Sequence, residues 1–73
     1  MEFGKRLRET RILRKKTQQE MADLIGVALQ SYQRYEQGER EPSLSMLVTL
    51  ADVLEVSTDE LLGRGAHADE NPE

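Results

Sequence analysis

The 73-residue chain has no cysteine and a single histidine, His67. Without cysteine there can be neither disulfides nor thiolate metal ligands, and one isolated histidine gives no ligand cluster. No metal or cofactor is therefore expected. No apolar run approaches the ~18 residues that a bilayer span needs. The opening Met1-Glu2-Phe3-Gly4 leads directly into charged sequence rather than an apolar core of a secretory leader. A soluble, cytoplasmic protein with no membrane partner is expected. The groups of an enzyme are missing too. There is no nucleophile paired with a base, no metal cluster and no phosphate-cradling loop, and so small a core leaves no room for a pocket of ~300 Å³. A chain of this length makes one small domain that buries about 60–65% of its unfolded surface, so its stability is expected to be modest.

A net surplus of positive charge is also lacking, since the chain carries a formal charge of −4. Its distribution is more informative than its total. Residues 1–16 hold seven cations (Lys5, Arg6, Arg8, Arg11, Arg14, Lys15 and Lys16) against Glu2 and Glu9. Residues 41–73 hold eight acids against Arg64 alone. One end of the chain is basic and the other acidic.

What is present is helical periodicity, with no repeat and no β pattern. Phe3, Leu7, Thr10 and Arg14 share a face, which predicts a first helix over residues 2–14. Arg11 lies beside that face and Ile12 opposite it. The run Arg14-Lys15-Lys16 then either complements the helix dipole or attracts phosphate; the two are compatible. Thr17 and Glu20 have the spacing of a capping box, which opens a second helix with Met21, Ala22 and Ile25 on its apolar side. Gly26 stops it, as a residue of positive φ. A third helix runs from Leu29 to about Gln37, and Gly38 ends it. Residues 39–42 are a loop, because Pro42 disfavours helix at the residue before it. Ser43 caps a fourth helix whose stripe is Leu44, Leu47, Leu50, Ala51 and Leu54, flanked by Met46, Val48 and Val53. Glu55-Val56 turns the chain. Ser57 and Glu60 form a second capping box, ahead of a fifth helix with Leu61 and Leu62 on its apolar face and Gly63 at its end. Residues 64–73 contain nothing apolar larger than alanine and read as an acidic, disordered tail. The expectation is an all-α, five-helix bundle over residues 1–63, with helices two and three forming a helix-turn-helix.

Several spaced features together resemble the lambda-repressor/Cro type (XRE-family) helix-turn-helix domain. They are TQQEMADLIGV, SYQRYEQGEREPS and LVTLADVLEVSTDELL, which with their flanks cover about Phe3 to Leu62. The resemblance implies that the third helix enters the major groove of DNA, with Leu29, Gln30, Gln33 and Arg34 facing base edges. It implies phosphate contacts from Gln18 at the start of helix two, from Arg40 and the Gln37–Gly38 amides after helix three, and from free amides at Ala28. It implies a structural ion pair between Arg11 and Glu36. Side-chain chemistry agrees with the reading role: Gln matches adenine N6 and N7, Arg matches guanine O6 and N7, and Leu29 offers apolar contact such as to a thymine methyl. Gln18 is expected to act equally on all sequences, because phosphates carry no base identity. Tyr32 and Tyr35 are expected in the core. Tyr32 would have its hydroxyl at the rim and Tyr35 would lie against helix four, and either hydroxyl could reach a phosphate.

The sequence departs from the family pattern at four places. Ala28 stands where Ser or Thr commonly caps helix three, which removes ~0.5–2 kcal/mol. Lys16 stands at a common apolar position, and Thr10 at a common leucine. Glu55 stands where glycine is usual, and a side chain at positive φ is strained. The leading expectation is a sequence-specific DNA-binding transcriptional regulator, acting as a homodimer on a two-fold-related site. Helix five together with Ile12, Leu24 and Val53 are candidate interface positions. A protein-interaction module with a protein partner, such as an antitoxin component, is the alternative, and the acidic C-terminal third would suit a basic partner.

Overall fold

In the computed structural model the described residues are 3–63, and they form five helices with no strand among them. These are α1 (Phe3–Leu13), α2 (Gln18–Ile25), α3 (Leu29–Gln37), α4 (Leu44–Leu54) and α5 (Thr58–Leu61). The tail expected over residues 64–73 lies outside the described residues.

The helix starts follow local chemistry. Thr17 Oγ1 accepts from the Glu20 amide at 3.0 Å, and the Glu20 carboxylate accepts from the Thr17 amide at 2.7 Å. Ser57 and Glu60 repeat the arrangement at α5, and Ser43 caps α4 through the Met46 amide. Each cap satisfies amides that a helix start leaves without intrahelical partners. At α3, Ala28 occupies the cap position and makes no side-chain hydrogen bond.

The helix ends are uniform in geometry and mixed in chemistry. Each of α1 to α4 ends in a pair of backbone bonds, one spanning five residues and one spanning three. Examples are Val27 N to Ala22 O at 3.0 Å with Gly26 N to Asp23 O at 3.3 Å, and Lys16 N to Arg11 O at 3.1 Å with Lys15 N to Ile12 O at 2.9 Å. This is the Schellman closure, whose hinge residue is left-handed. Gly26 and Gly38 supply it without strain, at φ of 77° and 78°. Lys15 and Glu55 supply it at 59° and 61°. The position of Glu55 agrees with its reading as a side chain in a glycine site; Lys15 has no counterpart in the sequence reading. The Schellman turn also ends α1 at Leu13, so Arg14–Lys16 lie past the helix. Arg14 instead donates to the Glu55 carbonyl at 3.1 Å, which places a cation on the last carbonyls of α4.

Leu7, Met21, Tyr32, Leu50, Leu54 and Leu61 are fully buried and draw on all five helices. The main helix contacts are α1 with α3, α2 with α3, α2 with α4, and α5 with both α1 and α4. Helix three thus rests on α1 and α2, and α4 is not the chief neighbour of the helix bearing Tyr35. Leu44 differs from its helical-wheel placement, and Val53 from its naming as a surface interface position. Leu44, the first residue of α4, is 78% exposed because it projects beyond the end of the packed stripe, and Met46 packs against the core instead. Val53 is half-buried against the core rather than free on the surface. Gly4, which periodicity does not single out, is buried where α1 meets the end of α3. A Cβ there would sit 2.4 Å from the Glu36 carbonyl oxygen and 2.7 Å from that of Tyr35. Only a residue without a side chain lets the two backbones come this close.

Candidate nucleic-acid interface

The α2–turn–α3 unit is set by three local devices: the capping box at Thr17, the left-handed Gly26 and the left-handed Gly38. They fix how α3 leaves α2 and where it stops. Tyr32 and Tyr35 bury the inner side of α3, while Gln30 and Arg34 are exposed and Leu29 and Gln33 are half-buried at the edge of the same outer face. All four residues expected to read bases therefore reach the surface of one helix. Gln37, the last residue of α3, and Arg40, just beyond its end, are exposed. The uncapped start at Ala28 leaves the first-turn amides of α3 without intrahelical acceptors, next to that outer face.

Behind the helix lies a polar network centred on Glu36. Its Oε2 accepts from Arg11 Nε at 2.6 Å and from the Tyr32 hydroxyl. Its Oε1 accepts from Gln18 Nε2 at 3.0 Å and, at the long limit, from Arg11 Nη2 at 3.4 Å. Arg11 also donates to the Lys16 carbonyl at 2.9 Å. A carboxylate offers about four lone-pair positions, and here four donors point at them. The ion pair between Arg11 and Glu36 is well shielded, with side chains 11% and 3% exposed. It joins α1 to α3, and Gln18 adds α2, so one carboxylate ties three helices together.

The electrostatics follow from this packing. Burial pushes the Glu36 carboxyl up, but the hydrogen bonds from Arg11, Tyr32 and Gln18 outweigh burial and hold it below the usual carboxylate range. The hydrogen bond to Glu36 raises the Arg11 guanidinium further, against the opposing effect of burial. Burial, and then the hydrogen bond to Glu36, push the Tyr32 phenol far above its ordinary value. The Tyr32 hydroxyl is thus committed inward to Glu36 and does not reach the rim. Gln18 is likewise not simply a surface amide, since its Oε1 accepts from Gln33 Nε2 at 3.0 Å. The family resemblance implies a phosphate contact for Gln18 and a base contact for Gln33, and this hydrogen bond joins the two.

Among the described residues no group of three or more His, Cys, Asp or Glu is placed to hold a metal ion, and no helix is long and apolar enough to cross a membrane. The room for a pocket is larger than the sequence suggested. An open depression of about 330 Å³, lined by Lys5, Arg6, Glu9, Leu62 and Gly63, lies between α1 and the end of α5.

A capped helix, a glycine turn and a second helix with a polar outer face, locked from behind by an Arg–Glu pair, form a helix-turn-helix. A helix-turn-helix family model matches residues 7–61. The chain belongs to that family. Its match to the transcriptional repressor RstR of the cryptic phage CTXphi of Vibrio cholerae is 51% identical over 73 residues, which is 100% of this chain and 64% of the repressor. A prophage-derived uncharacterized HTH-type transcriptional regulator of Bacillus subtilis, YonR, is 47% identical over 66 residues, 90% of this chain and 60% of that protein. The HTH-type transcriptional regulator AnsR of Bacillus subtilis is 48% identical over 59 residues, 81% of this chain and 51% of that protein. The helix-turn-helix chain thus spans roughly half to two thirds of the length of these relatives.

Proposed function

We propose that this helix-turn-helix chain is a sequence-specific DNA-binding transcriptional regulator, acting as a repressor, that places α3 in the major groove. The observation that carries this reading is the outer face of α3. It offers Leu29, Gln30, Gln33 and Arg34 together on a helix braced from behind by Glu36. Arg34 pairs with guanine O6 and N7, and Gln30 and Gln33 match adenine N6 and N7. Leu29 contributes apolar contact. Gln18, Gln37, Arg40 and the free amides after Ala28 hold the backbone on either side of the reading helix. The names of the relatives, a repressor and two regulators, support the same reading.

The active form is a homodimer. One module of this size buries only ~600–1,000 Å² on DNA, and two copies reading half-sites about 34 Å apart gain both affinity and register. Such a regulator works in the cytoplasm, needs no cofactor and catalyses no reaction. The test is selection of bound sites from a random duplex pool, followed by binding at two salt concentrations. An enriched motif with two-fold symmetry is expected, together with weaker binding at higher salt as phosphate counterions are released. If no duplex is retained at ~50 mM salt, the proposal fails.

A further inference from the structure

The hydrogen bonds behind α3 have a direction, and that direction ends at the reading face. Glu36 sits 3.0 Å from Gln18 and can only accept, so it must meet the Gln18 NH₂ group. The reverse amide orientation would set an amide oxygen against a carboxylate oxygen at that distance. Gln18 is therefore left with its Oε1 toward Gln33. That oxygen also accepts only, so Gln33 must turn its own NH₂ to it, again at 3.0 Å. Amide orientations are often ambiguous because oxygen and nitrogen look alike. Here a carboxylate at the head of the chain removes the ambiguity for both glutamines. The other donors on Glu36, from Arg11 and Tyr32, keep that carboxylate from rotating away.

We infer that Glu36, acting through Gln18, fixes the Gln33 amide so that its free oxygen and one remaining N–H face the base, making Gln33 an adenine reader that rejects guanine. The inference rests on the DNA-binding reading above and adds to it a positioning role for Gln18. Adenine presents N6–H to that oxygen and N7 to that N–H. Guanine presents O6 where adenine has N6–H, which sets two acceptors face to face. A free glutamine could turn its NH₂ group to guanine O6; one whose NH₂ is held by Gln18 cannot.

The experiment compares site selection from a random duplex pool for the wild-type chain, Gln33→Ala and Gln18→Met. Met keeps length and bulk while removing the amide. Wild type is expected to enrich adenine at the position whose preference Gln33→Ala abolishes, over guanine by roughly 5- to 150-fold, the range of one bidentate contact. Gln18→Met is expected to admit guanine at that position while the rest of the motif stays. A motif unchanged at that position, or weakened equally everywhere, overturns the relay, as does a wild-type preference for guanine or thymine there. If wild type enriches no motif, the DNA-binding reading itself falls and takes this inference with it. A second readout needs neither DNA nor a folded variant. In the free wild-type chain the Gln33 side-chain amide protons should exchange with solvent more slowly than those of exposed Gln30 and Gln37. Equal rates would overturn the relay even if Gln18→Met failed to fold.

Discussion

Replacing Glu36 by glutamine keeps the shape of the side chain and removes one acceptor oxygen together with the charge. Four donors converge on the carboxylate. In the variant, the donors that met one oxygen would meet an NH₂ group instead. Arg11 would keep its charge with a side chain only 11% exposed. Leaving one member of a buried pair uncompensated costs about 3–5 kcal/mol. The residual solvent contact of Arg11 reduces this to about 2–4 kcal/mol. A domain of this size is stable by roughly 3–9 kcal/mol, so Glu36→Gln should remove a large share of that stability. Urea titration followed by far-UV circular dichroism would read the change as a lower midpoint at unchanged slope. The partner variant Arg11→Met should lose less, because Tyr32 and Gln18 still donate to Glu36. The double variant should then be more stable than additivity predicts, by at least ~1 kcal/mol. A loss below ~1 kcal/mol for Glu36→Gln, or simple additivity, would refute the network as a source of stability. The acid limb gives an independent check. The carboxyl of Glu36 is lowered in the folded state, so its contribution is complete above the unfolded value and fades as pH falls below about 4. The phenol of Tyr32 is raised, so its contribution is complete below about pH 10 and fades above it. Glu36→Gln should flatten the acid side of the stability profile.

Three further outcomes test separate parts of the structure. Gly4→Ala should destabilise by about 1–3 kcal/mol in the same titration, despite alanine's better helix propensity, because its Cβ meets two backbone carbonyls that cannot swing aside. Lys15→Gly and Glu55→Gly should each stabilise by about 0.5–1 kcal/mol, the relief of left-handed strain less the extra chain entropy of glycine, and should raise the melting temperature by a few degrees. A fall in melting temperature would show that their side chains matter more than their backbone angles. Arg34→Ala should relax base preference at one position of the selected site and weaken binding by about 1–3 kcal/mol; an unchanged motif would remove Arg34 from the reading set.

The sequence by itself determined the five helices and most of their limits, the end of α1 at the left-handed Lys15 excepted. Caps and closures act within five residues of chain, so Thr17 with Glu20, Ser57 with Glu60, and the glycines at 26 and 38 could be read in place. The family pattern added the Arg11–Glu36 pair, which the structure contains at 2.6 Å. Tertiary structure decided what no local rule reaches. Whether Leu44 and Val53 face core or solvent depends on where neighbouring helices end. Gly4 reads as an ordinary helix residue until α3 is laid against it. The Glu36 network spans separations of 25, 18 and 15 residues. Beyond the Arg11–Glu36 pair, its members look like two surface glutamines and a core tyrosine until the fold brings them together. Hydrogen-bond direction is a property of the assembled group, because the Glu36 carboxylate, which cannot donate, sets the orientation of Gln18 and through it of Gln33.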